Sequence, residues 1–115
     1  MTQHDELIRL EHMLAAAREA VTLARGRTLE DVEGDRLRTL SLERLLEIVG
    51  EAAAQTTPEI RARFPDIPWA RIVGMRNEII HGYSTVDLEI VLSTVRQRLP
   101  ELIERLEAAL GTDRK

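Results

Sequence analysis

Apolar residues recur along this chain at spacings of three and four, the period of an α-helix with one buried face. From about Asp5 to Arg25 the stripe is Leu7, Leu10, Leu14, Ala17 and Val21, and Gly26 is placed to stop the helix. Residues 26–34 hold two glycines and several charges and read as an exposed loop. A second helix is predicted from about Asp35 to Gln55, with Leu37, Leu40, Leu45, Ile48, Val49 and Ala52 on its apolar face. Glu43, Glu47 and Glu51 follow one another at intervals of four, an acidic stripe that is either a solvated face or a docking surface for a basic partner.

Three prolines between 58 and 68 each remove an amide donor and disfavour helix in the residue before them. That stretch reads as an irregular connection with one short turn near Glu59–Arg63. Pro68 then stands where a helix can begin, and a short third helix runs from about Trp69 to His81 with Gly82 as its cap. Ile72 with Ile79, and Val73 with Ile80, share a side seven residues apart. Ser84-Thr85-Val86-Asp87 resembles a helix start. Leu88, Val91, Val95, Leu99, Leu102, Leu106 and Ala109 then form a long stripe, which Pro100 must kink or divide. Strand signals are nearly absent. The pattern predicts an all-α fold, an up-and-down four-helix bundle made by residues 1–115 as one domain.

Composition narrows this picture. With 115 residues the chain can bury roughly two-thirds of its unfolded surface, enough for a core without staples. Phe64, Trp69 and Tyr83 are its only aromatics, so the core must come from Leu, Ile, Val and Ala. Without cysteine there are no disulfides, thiolate nucleophiles or Cys-type zinc sites. The start of the chain lacks the pattern of a secretory leader, and no apolar run approaches the roughly 20 residues of a membrane span. A cytoplasmic protein without membrane contact is expected. The net charge of −4 argues against a broad grip on nucleic acid, so any contact with RNA must be local. His4 and His12 flank the first stripe without a third ligand, and no metal or other cofactor is expected.

One segment is not accounted for by core packing: Arg76-Asn77-Glu78-Ile79-Ile80-His81-Gly82-Tyr83. At about 100° per residue, His81 lies roughly 140° from Arg76 and about 40° from Asn77 on a helix. Asn77 and His81 are neighbours one turn apart, and Arg76 has the reach to join them. His81 falls in the last turn, where the helix dipole favours a cation. The plainer alternative puts Arg76 and Glu78 in solvent, with Asn77 as filler and His81 as a cap. Tyr83 can likewise be packing or functional, because a tyrosine can bury its ring and expose its hydroxyl.

The same segment resembles the R-x-x-x-x-H-x-Y signature of the HEPN superfamily, in its HepT-like branch. The blocks Leu45–Ala53, Phe64–Trp69 and Val86–Val91 resemble the family's other recurring blocks in the same order, so the likeness covers nearly the whole chain. Within the blocks, Asp66 reads as a turn or cap residue, Trp69 as a core anchor and Gly50 as a point of close helix contact.

The resemblance implies a toxin of a bacterial toxin–antitoxin pair, acting as a metal-independent endoribonuclease. It implies Arg76 and His81 as the catalytic pair and Asn77 in support. Tyr83 would be the residue to which a partner, a minimal nucleotidyltransferase (MNT), attaches AMP. One His per chain supplies one of two proton transfers, so a symmetric homodimer with the third helix near its axis is expected. The alternative is a helical module without cleavage of its own, the partner's AMP-accepting substrate. A third reading is a regulator whose Arg76 and His81 hold a nucleotide phosphate without cutting.

Overall fold

The computed structural model describes residues 3–79 and 87–114, with side chains at 4–75 and 87–111. The described residues form helices only: α1 (Gln3–Ala24), α2 (Leu29–Glu33), α3 (Arg36–Ala54), α4 (Pro58–Arg63), α5 (Trp69–Ile79), α6 (Leu88–Gln97) and α7 (Leu99–Arg114). The predicted long helices are α1, α3, α5 and the α6–α7 pair. The all-α fold is therefore as expected, with two short helices added between the long ones.

α1 is the element on which the others are assembled, packing against α3, α6 and α7. Leu10, Met13, Ala17 and Ala20 on its inner face are completely buried. The alanines let neighbouring backbones come close, and α3 likewise buries small residues, Gly50, Ala52 and Ala53. α1 and α3 are antiparallel, as two ties show. Arg38 near the start of α3 donates to the Leu23 carbonyl at the end of α1 (2.7 Å). At the other end, the Thr57 amide donates to the Glu6 carboxylate at 3.0 Å, and the Thr57 hydroxyl donates to its second oxygen. Arg9 adds a donor to Glu6 (3.3 Å) and another to the Gln55 carbonyl (3.1 Å). Glu6 is a buried carboxylate, 4% exposed, and these donors replace its water.

Gly26 ends α1 with φ +72°, a conformation in which Gly avoids the Cβ clash that other residues meet. The stretch 26–34 is not the exposed loop predicted. Thr28 and Asp31 form a capping box, with the Asp31 amide donating to the Thr28 hydroxyl (3.0 Å) and the Thr28 amide to the Asp31 carboxylate (2.9 Å). The Thr28 amide foremost, and then the Thr28 hydroxyl, hold the Asp31 carboxyl below the usual carboxylate range. α2 follows and buries Val32 completely.

A second correction concerns α3. Leu37 is 79% exposed and Leu40 44% exposed, so neither belongs to the apolar face. The buried stripe has its own phase: Leu42, Leu45, Leu46, Val49 and Ala53. Leu37 lies five residues before Leu42 and Leu40 two before it. At about 100° per residue both fall far off the stripe.

The expected short turn after Pro58 is α4, capped by Thr57. Trp69 is 8% exposed and anchors α5, its indole N–H donating to the Phe64 carbonyl (3.1 Å). Asp66 occupies the preceding turn. The last stripe divides at Arg98, and Pro100 stands in the first turn of α7, where its missing N–H costs no helical bond. α6 is capped by Asp87, whose carboxylate accepts from the amides of Glu89 (2.9 Å) and Ile90 (3.4 Å). Ser84 lies outside the described residues.

Glu6→Ala should cost about 3 kcal/mol, since it deletes the acceptor of buried donors at the α1–α4 tie. Leu37→Ser should change stability by no more than about 0.5 kcal/mol, as an exposed position off the stripe does. Urea unfolding of both variants checks the pair.

Candidate functional site

α5 carries the first half of the signature. It is short because Pro68 fixes its start, and it packs along α3. Its direction follows from its contacts with α7. Arg105 in the middle of α7 donates to the Asp66 carbonyl just before α5, whereas Met75 lies beside Arg98 and Leu99 at the α6–α7 junction. α5 therefore runs antiparallel to α7 and ends toward that junction. α7 itself runs back along α1: Pro100 lies beside Ala24, and Glu107 pairs with Arg18. The C-terminal end of α5 thus points to the end of the bundle where α1 finishes and α3 begins.

Arg76 and Asn77 occupy successive positions of α5 directly after Met75. Arg76 follows Ile72 by four residues and Trp69 by seven along α5. The side chains of Arg76 and Asn77, and the whole of His81 and Tyr83, lie outside the described positions. The structure therefore places two of the four predicted site residues on one helix end.

The described surroundings of that end are a small cavity of about 50 Å³ between α5 and the α6–α7 junction. Ile72, Met75, Leu99 and Leu102 line it, with Arg71 and Arg98 at its edge and Glu101 beside them. Its volume admits a few waters. It is too small for a ligand pocket, which takes about 300 Å³ or more. Arg71 and Arg98 were not singled out in the sequence. Their signal was indirect: Arg71 precedes buried Met75 by one turn, and Arg98 immediately precedes Leu99-Pro100, where the stripe had to break.

His4 and His12 are exposed. On the acidic stripe of α3, Glu43 and Glu47 are half-buried and Glu51 is exposed, with Glu47 paired to Arg44 at 3.5 Å. Burial pushes the Glu43 carboxyl above its usual range, Glu47 adds to the shift, and Arg36 opposes it. No helix among the described residues is long and apolar enough to cross a membrane.

An all-helical bundle whose fifth helix carries Arg76-Asn77 in its last turns, with His and Tyr following in sequence at the signature spacing, defines a class that comparison with known proteins identifies. The model of the family described as "Ribonuclease HepT-like" matches residues 13–109. A provisionally named RNase of Caldanaerobacter subterraneus is 32% identical over 105 residues, covering 91% of this chain and 94% of its own. A protein of Thermococcus cleftensis named probable ribonuclease HepT is 33% identical over 78 residues, 68% of this chain and 71% of its own. A provisionally named RNase of Methanocaldococcus jannaschii is 26% identical over 107 residues, 93% and 98% of the two chains. No solved structure matches the chain. The chain belongs to the HepT-like ribonuclease family.

A carboxyl whose pKa is raised by folding holds its proton more tightly in the folded state. Its contribution to stability therefore falls as pH rises from the ordinary glutamate range through the raised value. Glu43→Gln should accordingly melt higher than wild type at neutral pH, with the difference closing on acidification. Thermal melts across an acid-to-neutral series check the sign.

Proposed function

We propose that this chain is the toxin of a toxin–antitoxin pair: a metal-independent endoribonuclease that acts through Arg76 and His81 and is silenced by AMP addition at Tyr83. The observation that supports it most is the family match over 13–109, which spans the whole Arg76–Tyr83 signature. The relative named probable ribonuclease HepT supports the same activity.

The chemistry needs no group beyond those residues. The ribose 2′-OH attacks the adjacent phosphorus, its proton passes to a base, and the new O2′–P bond forms as the P–O5′ bond breaks. The leaving 5′ oxygen takes a proton from an acid. A His with a pKa near neutrality can serve as either base or acid. Arg stabilises the charge gathering on the phosphorus oxygens, and Asn77 orients the pair. The signature supplies one His per chain, which covers one proton transfer, so we assign the second to a symmetry-related chain, with α5 near the two-fold axis. A minimal nucleotidyltransferase is the proposed partner. An adenylyl group on Tyr83, two residues past His81, would bring negative charge and bulk to the cleft and repel the RNA backbone. A cytoplasmic location accords with this role.

Incubated with mixed RNA in EDTA, the wild-type chain should cleave. His81→Ala should lose at least about 100-fold in rate, the usual scale of one general acid or base, and Arg76→Ala should lose a comparable factor. Cleavage that survives both substitutions would remove the catalytic assignment. Absence of cleavage, together with AMP incorporation at Tyr83, would instead favour a module that serves only as the nucleotidyltransferase's substrate. Sedimentation should give twice the 13.1 kDa chain mass, and a fully active monomer would exclude the shared cleft.

A further inference from the structure

We infer that Arg71 and Arg98 form a phosphate-contacting rim that holds the RNA backbone beside Arg76, an inference that rests on the ribonuclease reading above. The two arginines come from different helices. Arg71 lies in the first turn of α5, and Arg98 is the residue at which α6 ends and α7 begins. Both are exposed, and both line a small cavity between α5 and the α6–α7 junction. The carboxylate that could neutralise them there is Glu101, and it is held by Arg105 one turn along α7. Most other arginines with described side chains are engaged: Arg18 with Glu107, Arg38 with Asp35, Arg44 with Glu47, and Arg61 with the Ala53 carbonyl. Among the described residues, Arg71, Arg98 and Arg105 thus share one carboxylate, Glu101, around this cavity, and an anion bridging Arg71 and Arg98 offsets the excess positive charge.

Position and size specify the anion. Arg71 and Arg98 line the same cavity as Met75, the residue directly before Arg76 on α5. The cavity under it, about 50 Å³ and apolar, cannot admit a base. The contact is therefore with the backbone and carries no sequence preference. Arginine suits it because the planar guanidinium can bind a phosphate through two parallel hydrogen bonds. A local rim of this kind also reconciles RNA binding with a net charge of −4.

The test is the salt dependence of binding to a labelled single-stranded 2′-O-methyl oligonucleotide, whose blocked 2′ oxygens prevent cleavage, followed by anisotropy. Each phosphate contact adds about 0.7 to the slope of log affinity against log salt on a single strand. Arg71→Gln and Arg98→Gln should each flatten the slope by about that amount, and the double variant by about twice it. The Lys variants should keep most of the slope, since the point charge remains. Arg18→Gln, which removes an equal charge from the α1–α7 face, should leave the slope unchanged. Binding with an undiminished slope in the double Gln variant, equal weakening by Arg18→Gln, or no binding by wild type would overturn the inference. His81→Ala separates this outcome from the ribonuclease reading. If cleavage of unmodified RNA proves independent of His81 while the arginine effects stand, the rim survives and the catalytic assignment falls.

Discussion

The bundle depends on one helix face made largely of methyl groups. Ala16, Ala17, Ala20 and Ala24 line the buried side of α1, which packs against α3 and α7. In a chain with three aromatics, this close approach replaces the bulk that large side chains would supply. It leaves little tolerance, because an added methylene on such a face displaces a neighbouring backbone. The polar ties at its two ends, Glu6 to Thr57 and Arg38 to Leu23, fix how far α3 can slide along α1. α5 packs on α3 and inherits that register, so the height at which Arg76 leaves the bundle is set by contacts far from it.

The parts legible in the sequence were those written as periodicity and caps. Gly26, Asp35, Gln55 and the proline-bounded α4 fall where stop and start rules put them. Division of the last stripe was expected at Pro100 and occurs two residues earlier, because a proline is better accommodated in a first turn than at a break. α2 went unread although its capping box, Thr28-x-x-Asp31, was present; five residues with one apolar position give no period to detect. Leu37 and Leu40 were misplaced for the converse reason. Leucines near a stripe look like members of it until the phase is fixed by Leu42, Leu45, Leu46 and Val49.

The site was legible only as far as its chemistry and its family blocks allowed. Arg76 and Asn77 sit at the end of α5, where the pattern put them, and the family match spans them together with His81 and Tyr83. Arg71 and Arg98 could not be found from spacing, because 27 residues separate them and only the folded chain brings them to line one cavity. A charge contributed by two helices has no signature in either. The same holds for the acidic stripe of α3, whose three glutamates look alike in sequence yet differ in burial.

The central claim, that Arg76 and His81 cut RNA through the neighbouring 2′ oxygen, is tested most directly by the ends of the products. Mass spectrometry of fragments released in EDTA should show 2′,3′-cyclic phosphate on one side of the cut and a 5′-hydroxyl on the other. Fragments bearing 5′-phosphates, or cutting that persists where the 2′-OH is replaced by hydrogen, would contradict the account.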